Sequence, residues 1–418
     1  MNRPLIFKVG QLIDGSGTPP LKQAFARIEH GQIRAVGLQS ELGQPEAGIQ
    51  IIEAPDSTLM PGMIDTHVHI AYSGSLESGA FRAEASEMSY PLLALRAARY
   101  ARQSLEWGFT ALRDLNAPGG VAIDLARAID AGHVVGSRIQ ACGLGLSVTG
   151  GHMDKGGWGD HVHLEAMTAV ADSPDQFRAR VREQVKRGAG CIKINLCGGT
   201  FRDWSAPWKQ EMTDAEIVAS IDEAHRLERR VAAHTSGGPS ITFAVRAGLD
   251  SVEHGRWLDQ ECVEAMAEHG CFYVPTLLVQ ENHFEHPWEI QGAGPNSIRW
   301  LELGREAMWQ SLELARKAGV KIATGTDAGF MLPHGSVNAR ELELLARGGL
   351  TPLEAITAAT HTAAQLLDLD QLGRVAAGFG ADLVLVDGDP LSDLKILQQQ
   401  PRLRVFKDGR EVTRGVLA

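Results

Sequence analysis

The chain has 418 residues, 44% of them hydrophobic and 22% charged, a balance that suits a globular protein with one large domain and a small one. No apolar run approaches the roughly 18 residues of a membrane span, and the formal charge of -11 comes without a Lys/Arg block, so neither a membrane nor a nucleic acid is an expected partner. Cys142, Cys191, Cys197, Cys262 and Cys271 are odd in number and lack CxxC spacing, which argues against a disulfide framework and a cysteine zinc cage; with no secretory pattern at the start, the cytoplasm is the expected location.

In chain order, "LIFKVGQLI" and "FARIEHGQIRAVG" read as short strands, with Glu29-His30-Gly31-Gln32 as a hairpin turn. Eight strands are then predicted in alternation with helices: "LMPGMIDTHVH", "FTALRDLN", "RIQACGLGLS", "GCIKINLC", "RVAAHTS", "DSVEHG", "CFYVPTLL" and "VKIATGTDAG". Helix starts are expected at Ser173-Pro174 with Gln176, at Thr213 with Glu216 and at Thr351-Pro352 with Glu354. The end of the chain returns to strands, "ADLVLVDGDPL" and "LRVFKDGREVT", the latter turning at Asp408-Gly409. Eight alternating units imply an α/β fold, a (β/α)8 barrel over residues 58–372. The β-rich ends, 1–57 and 373–418, are expected to pair as one small β-sandwich.

Barrels of this kind carry their chemistry at the C-terminal strand ends. There the first strand has His67 and His69, the fourth Lys193, the fifth His234, the sixth His254 and the eighth Asp327. Alternation puts His67 and His69 on one face about 7 Å apart, and imidazoles with a carboxylate suit zinc or a similar divalent ion. HxH alone is a weak signal, and each later residue has a bland reading as a satisfied core histidine, a snorkelling lysine or a turn aspartate. Together, on five strand ends, they are hard to assign to chance. A second triplet, His161-Val162-His163, lies in an expected loop without partners and reads as a polar loop.

"PGMIDTHVH", "IKI", "AAHT", "SVEHG", "TGTDAG" and "LGRVAAGFGADLVLVDGDPL" resemble, in order and over essentially the whole chain, the amidohydrolase superfamily. The likeness is to binuclear members related to imidazolonepropionase and to Xaa-Pro and Xaa-Arg dipeptidases. It implies that His67, His69 and Asp327 hold one metal and His234 and His254 another, with an N6-carboxylated Lys193 joining them, zinc being the expected ion. It also implies hydrolysis of an amide C–N bond by a metal-bridged hydroxide, with Asp327 as general base and then acid. The expected small-molecule substrates are dipeptides or N-acyl amino acids, bulky aromatic ones of the ochratoxin type included. A homo-oligomer is expected on the same ground.

His152 matches a family histidine that touches the scissile group. Ser236 stands where dipeptidase-like members often carry a tyrosine for the substrate carboxylate, a departure that weakens an exclusive dipeptidase role. Arg202, Trp204 and Trp288 are further substrate-contact candidates, with Trp208 and Phe284 beside them; their bland reading is loop anchoring. Aryl amides, ureas, carbamates and cyclic amides are the rival substrates. A mononuclear deaminase is disfavoured because "HTSGGPS" lacks its glutamate and Lys193 is present.

Overall fold

The computed structural model describes residues 4–46, 48–77, 79–154, 168–201 and 206–413. Strands β1 (Leu5–Leu12), β2 (Leu21–Glu29), β3 (Gln32–Leu38) and β4 (Gln50–Pro61) come first. The central strands are β5 (Met63–Val68), β6 (Phe109–Asp114), β7 (Arg138–Ala141), β8 (Leu146–Ser147), β9 (Ala169–Val170), β10 (Cys191–Asn195), β11 (Arg230–Gly237), β12 (Ser251–Trp257) and β13 (Phe272–Val274). β14 (Leu383–Asp387), β15 (Leu403–Lys407) and β16 (Arg410–Glu411) follow.

The terminal strands form one seven-stranded sheet in the order β16-β15-β14-β4-β1-β2-β3. Its hairpins turn on left-handed pairs, His30 (φ 52°) with Gly31 (φ 79°) and Asp408 (φ 51°) with Gly409 (φ 68°), the backbone that two-residue turns demand. Alternation sorts the side chains. Leu5, Phe7, Val9, Leu383, Leu385 and Phe406 share one core, while Met60, Val384 and Val386 face the barrel's core. Instead of two stacked sheets, this single sheet curls on itself: Ile33 N–H donates to the Phe379 carbonyl at 2.8 Å, and Gly378 N–H to that of Ile33 at 2.9 Å. The expected boundary at 57/58 falls inside β4, because that strand pairs parallel with β1 as far as Leu59 and antiparallel with β14 as far as Pro61.

The central strands pair in parallel, in the orders β5-β6-β7 and β13-β12-β11-β10-β8-β9, so that β8 lies between β10 and β9, and helices lie between most of them in the chain. The predicted third strand is broken in two. β7 pairs with β6 and β8 with β10, with a bend between them where Gly143 is left-handed (φ 75°). The predicted eighth strand is irregular, yet it bonds on both sides: Tyr273 N–H to the Lys321 carbonyl at 2.9 Å, Thr66 N–H to that of Thr324 at 2.9 Å, and His69 N–H to that of Ala328 at 2.7 Å. Those bonds close the ring of a (β/α)8 barrel. The end away from the ligands is plugged by the helix His361–Leu366, whose Ala363, Ala364 and Leu366 pack on Ile64, Ala111, Phe272 and Val274.

Local chemistry starts the helices where the sequence places them. Ser173 accepts from Gln176 N–H, and Thr213 and Thr351 each form a reciprocal box with Glu216 and Glu354. The five cysteines are all unbridged and buried.

Candidate metal centre

Each ligand candidate reaches the barrel mouth from a strand end or the segment after it. His67 is in β5 and His69 directly follows it, Lys193 is in β10, His234 in β11 and His254 in β12; Asp327 lies in the irregular eighth segment. Asp327 N–H is held by the His67 carbonyl at 2.8 Å. The glycines of "GTDAG" explain that segment. A Cβ on Gly325 would stand 2.4 Å from a Val274 methyl and 2.8 Å from the His67 Cβ, and Gly329 (φ 98°) would bring one to 2.1 Å from the His69 carbonyl.

All of these side chains face one cavity. His67, His254 and Asp327 offer ligand atoms within 4.8 Å of one another. His69 Nε2 approaches Asp327 Oδ1 at 3.0 Å, and the His234 and His254 rings lie 4.7 Å apart. The tightest trio thus crosses the division the resemblance implies, taking His254 rather than His69 beside His67 and Asp327. The histidine rings are oriented from behind. His67 Nδ1 meets Glu253 Oε2 at 2.7 Å and His254 Nδ1 meets Thr276 Oγ1 at 2.8 Å, which leaves both Nε2 atoms for the cavity. His234 is reversed, its Nε2 lying 3.3 Å from the Gly198 carbonyl.

Electrostatics favours ligand forms. Burial lowers His67 to about 4 and takes His234 and His254 well below the usual imidazole range, so all three are neutral donors. Burial also lowers Lys193, whose buried Nζ has no hydrogen-bond partner among the described residues. Burial opposes the Asp327 charge, but His67 and the His69 contact hold the carboxyl below its ordinary range. The site thus holds an ionised Asp327 with the neutral imidazoles of His67, His234 and His254. A carboxylate, four imidazoles and an amine without a partner fit divalent metal in a way that ordinary core packing does not.

Residues the sequence reading missed hold this set in place. Glu253 accepts from Arg113 Nη2 at 2.7 Å as well as facing His67, and although burial would raise its carboxyl, Arg113 and His67 bring it down to about 2. Asp65 ties the first strand to the eighth segment, accepting from Thr326 Oγ1 at 2.6 Å and Asn338 Nδ2 at 2.7 Å. Both acids stand inside motifs already noted, the Asp of "MIDTHVH" and the Glu of "SVEHG". Backbone strain gathers here too: His254 (φ 68°), Thr276 (φ 51°) and Asp327 (φ 66°) are left-handed without being glycine.

The substrate candidates fare unevenly. His152 lines the cavity with its ring stacked on His234 at 3.9 Å. Ser236 is buried in β11 but is not among the cavity-lining residues. Trp288 stands outside the cavity, edge-on to Phe284 at 5.3 Å, and Trp208 packs against Trp257 at 5.4 Å. The chain after β13 is helical, Leu277–Glu285 and Trp288–Gln291, and carries Phe284 and Trp288. Arg202, Trp204, His161 and His163 lie outside the described residues. The apolar wall is made by Phe81, Phe201 and Phe330, with Phe330 5.7 Å from Phe81 and 6.1 Å from Phe201.

Comparison with known proteins bears on the family and the fold. The Amidohydrolase family profile matches residues 58–416. Ochratoxinase of Aspergillus niger is 31% identical over 97% of this chain and 86% of its own, and its crystal structure superposes with a TM-score of 0.86 at 29% identity, covering 100% of this chain and 97% of that one. A Xaa-Pro dipeptidase with methionine bound in its active site gives a TM-score of 0.87 at 30% identity, covering 98% and 99%. A prolidase complexed with N-methylphosphonate-L-proline gives 0.87 at 32%, covering 99% and 100%. By these likenesses the chain belongs to the amidohydrolase family, as a hydrolase of carbon–nitrogen bonds.

Proposed function

We propose that the chain hydrolyses the amide bond of dipeptides or N-acyl amino acids, bulky aromatic acyl groups included. It does so with two divalent ions, zinc by preference, held by His67, His69, His234, His254 and Asp327 and joined by carboxylated Lys193. The observation that carries this reading is the unpartnered, buried Lys193 amine, ringed by neutral imidazoles and an ionised Asp327 beside an aromatic wall. A neutral amine is the form that takes up carbon dioxide, and the resulting carbamate turns a repelled neighbour into an anionic ligand. Two relatives bear on the substrate: one holds methionine in its active site and one is complexed with N-methylphosphonate-L-proline, and both molecules carry an amino-acid carboxylate.

When bound, such ions supply hydroxide near neutral pH and polarise a carbonyl. The chain's own residues do the rest. Asp327 accepts the proton of the attacking water on a carboxylate oxygen and returns it to the departing nitrogen. His152 offers its ring to the carbonyl oxygen as charge grows there, braced by its stack on His234. Phe81, Phe201 and Phe330 hold the apolar part of the substrate and exclude water.

The test pairs metal analysis with a substrate screen. About two equivalents of divalent metal per chain, an intact mass heavier by one carbon dioxide that Lys193→Ala abolishes, and turnover of N-acyl amino acids are the expected results. About one equivalent would indicate the deaminase reading, and turnover confined to aryl amides or carbamates without a carboxylate would replace the substrate class. No helix among the described residues is long and apolar enough to cross a membrane. A homo-oligomer is part of the same reading, and sedimentation tests it.

A further inference from the structure

Arg256 lies two residues beyond His254 in β12, is only 5% exposed and lines the same cavity as the ligand set. Left-handed His254 and Gly255 (φ 68° and 50°) break the pleat just before it. Its head is braced from one side. Nε donates to Gln280 Oε1 at 3.1 Å, and Gln280 Nε2 is itself fixed on the Leu301 carbonyl at 3.0 Å. On the other side Nη1 is buried with no hydrogen-bond partner among the described residues, and Asp327, whose charge reaches this guanidinium, makes no hydrogen bond to that atom.

Nearby arginines behave differently. Arg305 reaches Glu281 at 2.7 Å and Arg340 pairs with Glu285, both acids being on the helix that also carries Gln280. A guanidinium stays charged at any ordinary pH, so keeping one dry and unpaired is strongly unfavourable unless an anion arrives. The fork matches a carboxylate, which takes two parallel N–H bonds. Two residues of strand span no more than about 7 Å, so a carbonyl held near His254 and a carboxylate one residue away in the same small molecule each find a partner.

We propose that Arg256 receives the free carboxylate of the amino-acid half of the substrate and selects carboxylate-bearing amides over neutral ones. The assignment rests on the amide-hydrolase reading given above and adds the residue that decides its specificity. Arg202 and Ser236, the sequence's candidates near the carboxylate, are not needed for it. Gln280 is then a positioning residue that aims the fork.

The experiment compares N-acyl-L-phenylalanine with the matching N-acyl-2-phenylethylamine, the same amide without its carboxylate, in wild type, Arg256→Met, Arg256→Lys and Gln280→Leu. Wild type should prefer the carboxylate. Arg256→Met should lose roughly 100- to 1000-fold in kcat/KM on it, mainly through KM, and change less than about 3-fold on the neutral amide. Arg256→Lys should recover part of that loss, and Gln280→Leu should raise KM for the carboxylate alone. Equal losses on both substrates, or a preference that survives Arg256→Met, would overturn the assignment, and Gln280→Leu keeps it testable should Arg256→Met fail to fold.

A second arm needs no turnover: thermal stabilisation by 3-phenylpropionate, a carboxylate without an amide. If neither amide is hydrolysed, the reading of the substrate class fails, and this arm still judges Arg256. Stabilisation of wild type but not of Arg256→Met supports it; equal stabilisation of both, or of neither, refutes it.

Discussion

The two ends of the barrel interior treat buried polar groups in opposite ways. Below the mouth, Arg113 spends its donors on the Thr66 carbonyl at 2.6 Å, Ser251 Oγ at 3.1 Å and Glu253 at 2.7 Å, and Asp65 accepts from Thr326 and Asn338. At the mouth, Lys193 Nζ, His69 Nδ1 and Arg256 Nη1 are buried with no hydrogen-bond partner among the described residues. Unpaired buried polar atoms are costly, and a fold retains them where something else is to fill the gap. The lower layer holds shape, and the upper one is left open for ligands.

The contrast is sharpest if one side can be damaged without the other. Asp327→Asn keeps an oxygen at the site but cannot accept the proton. Turnover should fall by roughly 100- to 10,000-fold, with metal content by elemental analysis and KM nearly unchanged; wild-type turnover at full metal occupancy would remove Asp327 from the proton-transfer role. Glu253→Gln strikes the lower layer, leaving Arg113 buried without its anion and His67 without its orienting acceptor. A stability loss of about 3–5 kcal/mol in denaturant unfolding and metal binding weaker by roughly 10- to 100-fold in competition titrations are expected. An unchanged unfolding midpoint would show that the layer is not structural.

Smaller effects follow from titration away from the centre. Burial raises Glu341 to about 8, although its carboxylate caps Leu277 and Leu278 N–H. A carboxyl with a raised folded value binds its proton more tightly in the fold than in the unfolded chain. Its contribution to stability is therefore present at low pH and is lost as pH rises from about 4.5 to about 8. Glu341→Gln should flatten that part of the profile, by at most about 1.4 kcal/mol per pH unit, in unfolding measured from pH 5 to 8. The half-exposed His225–Asp250 pair, 2.8 Å apart, has the opposite origin: the Asp250 hydrogen bond raises the imidazole. It stabilises below the ordinary histidine range and fades as pH rises through the raised value, so His225→Asn should cost less than about 1 kcal/mol at pH 6 and nothing measurable at pH 9.

Much of this was legible in one dimension because it depends on local chemistry. The turns at His30-Gly31 and Asp408-Gly409, the caps at Ser173, Thr213 and Thr351, and the polar residues at strand ends are all set by residues a few positions apart. The aromatic wall was not legible. Trp288 and Trp208 had the right composition but pack on Phe284 and Trp257, while Phe81, Phe201 and Phe330, from three distant segments, meet in the cavity.

What the sequence determined by itself was the alternation of strand and helix, the hairpins at both ends and the candidate donors His67, His69, Lys193, His234, His254 and Asp327 near strand ends. Periodicity, turn chemistry and residue type carry those. Only the tertiary structure decided that the eighth segment closes the ring without being a regular strand, that Glu253 and Asp65 brace the donors, and that Arg256 Nη1 is left without a hydrogen-bond partner among the described residues. Each of these depends on which groups fill a given buried volume. Burial and pairing are properties of contacts between distant residues, and no local pattern encodes them.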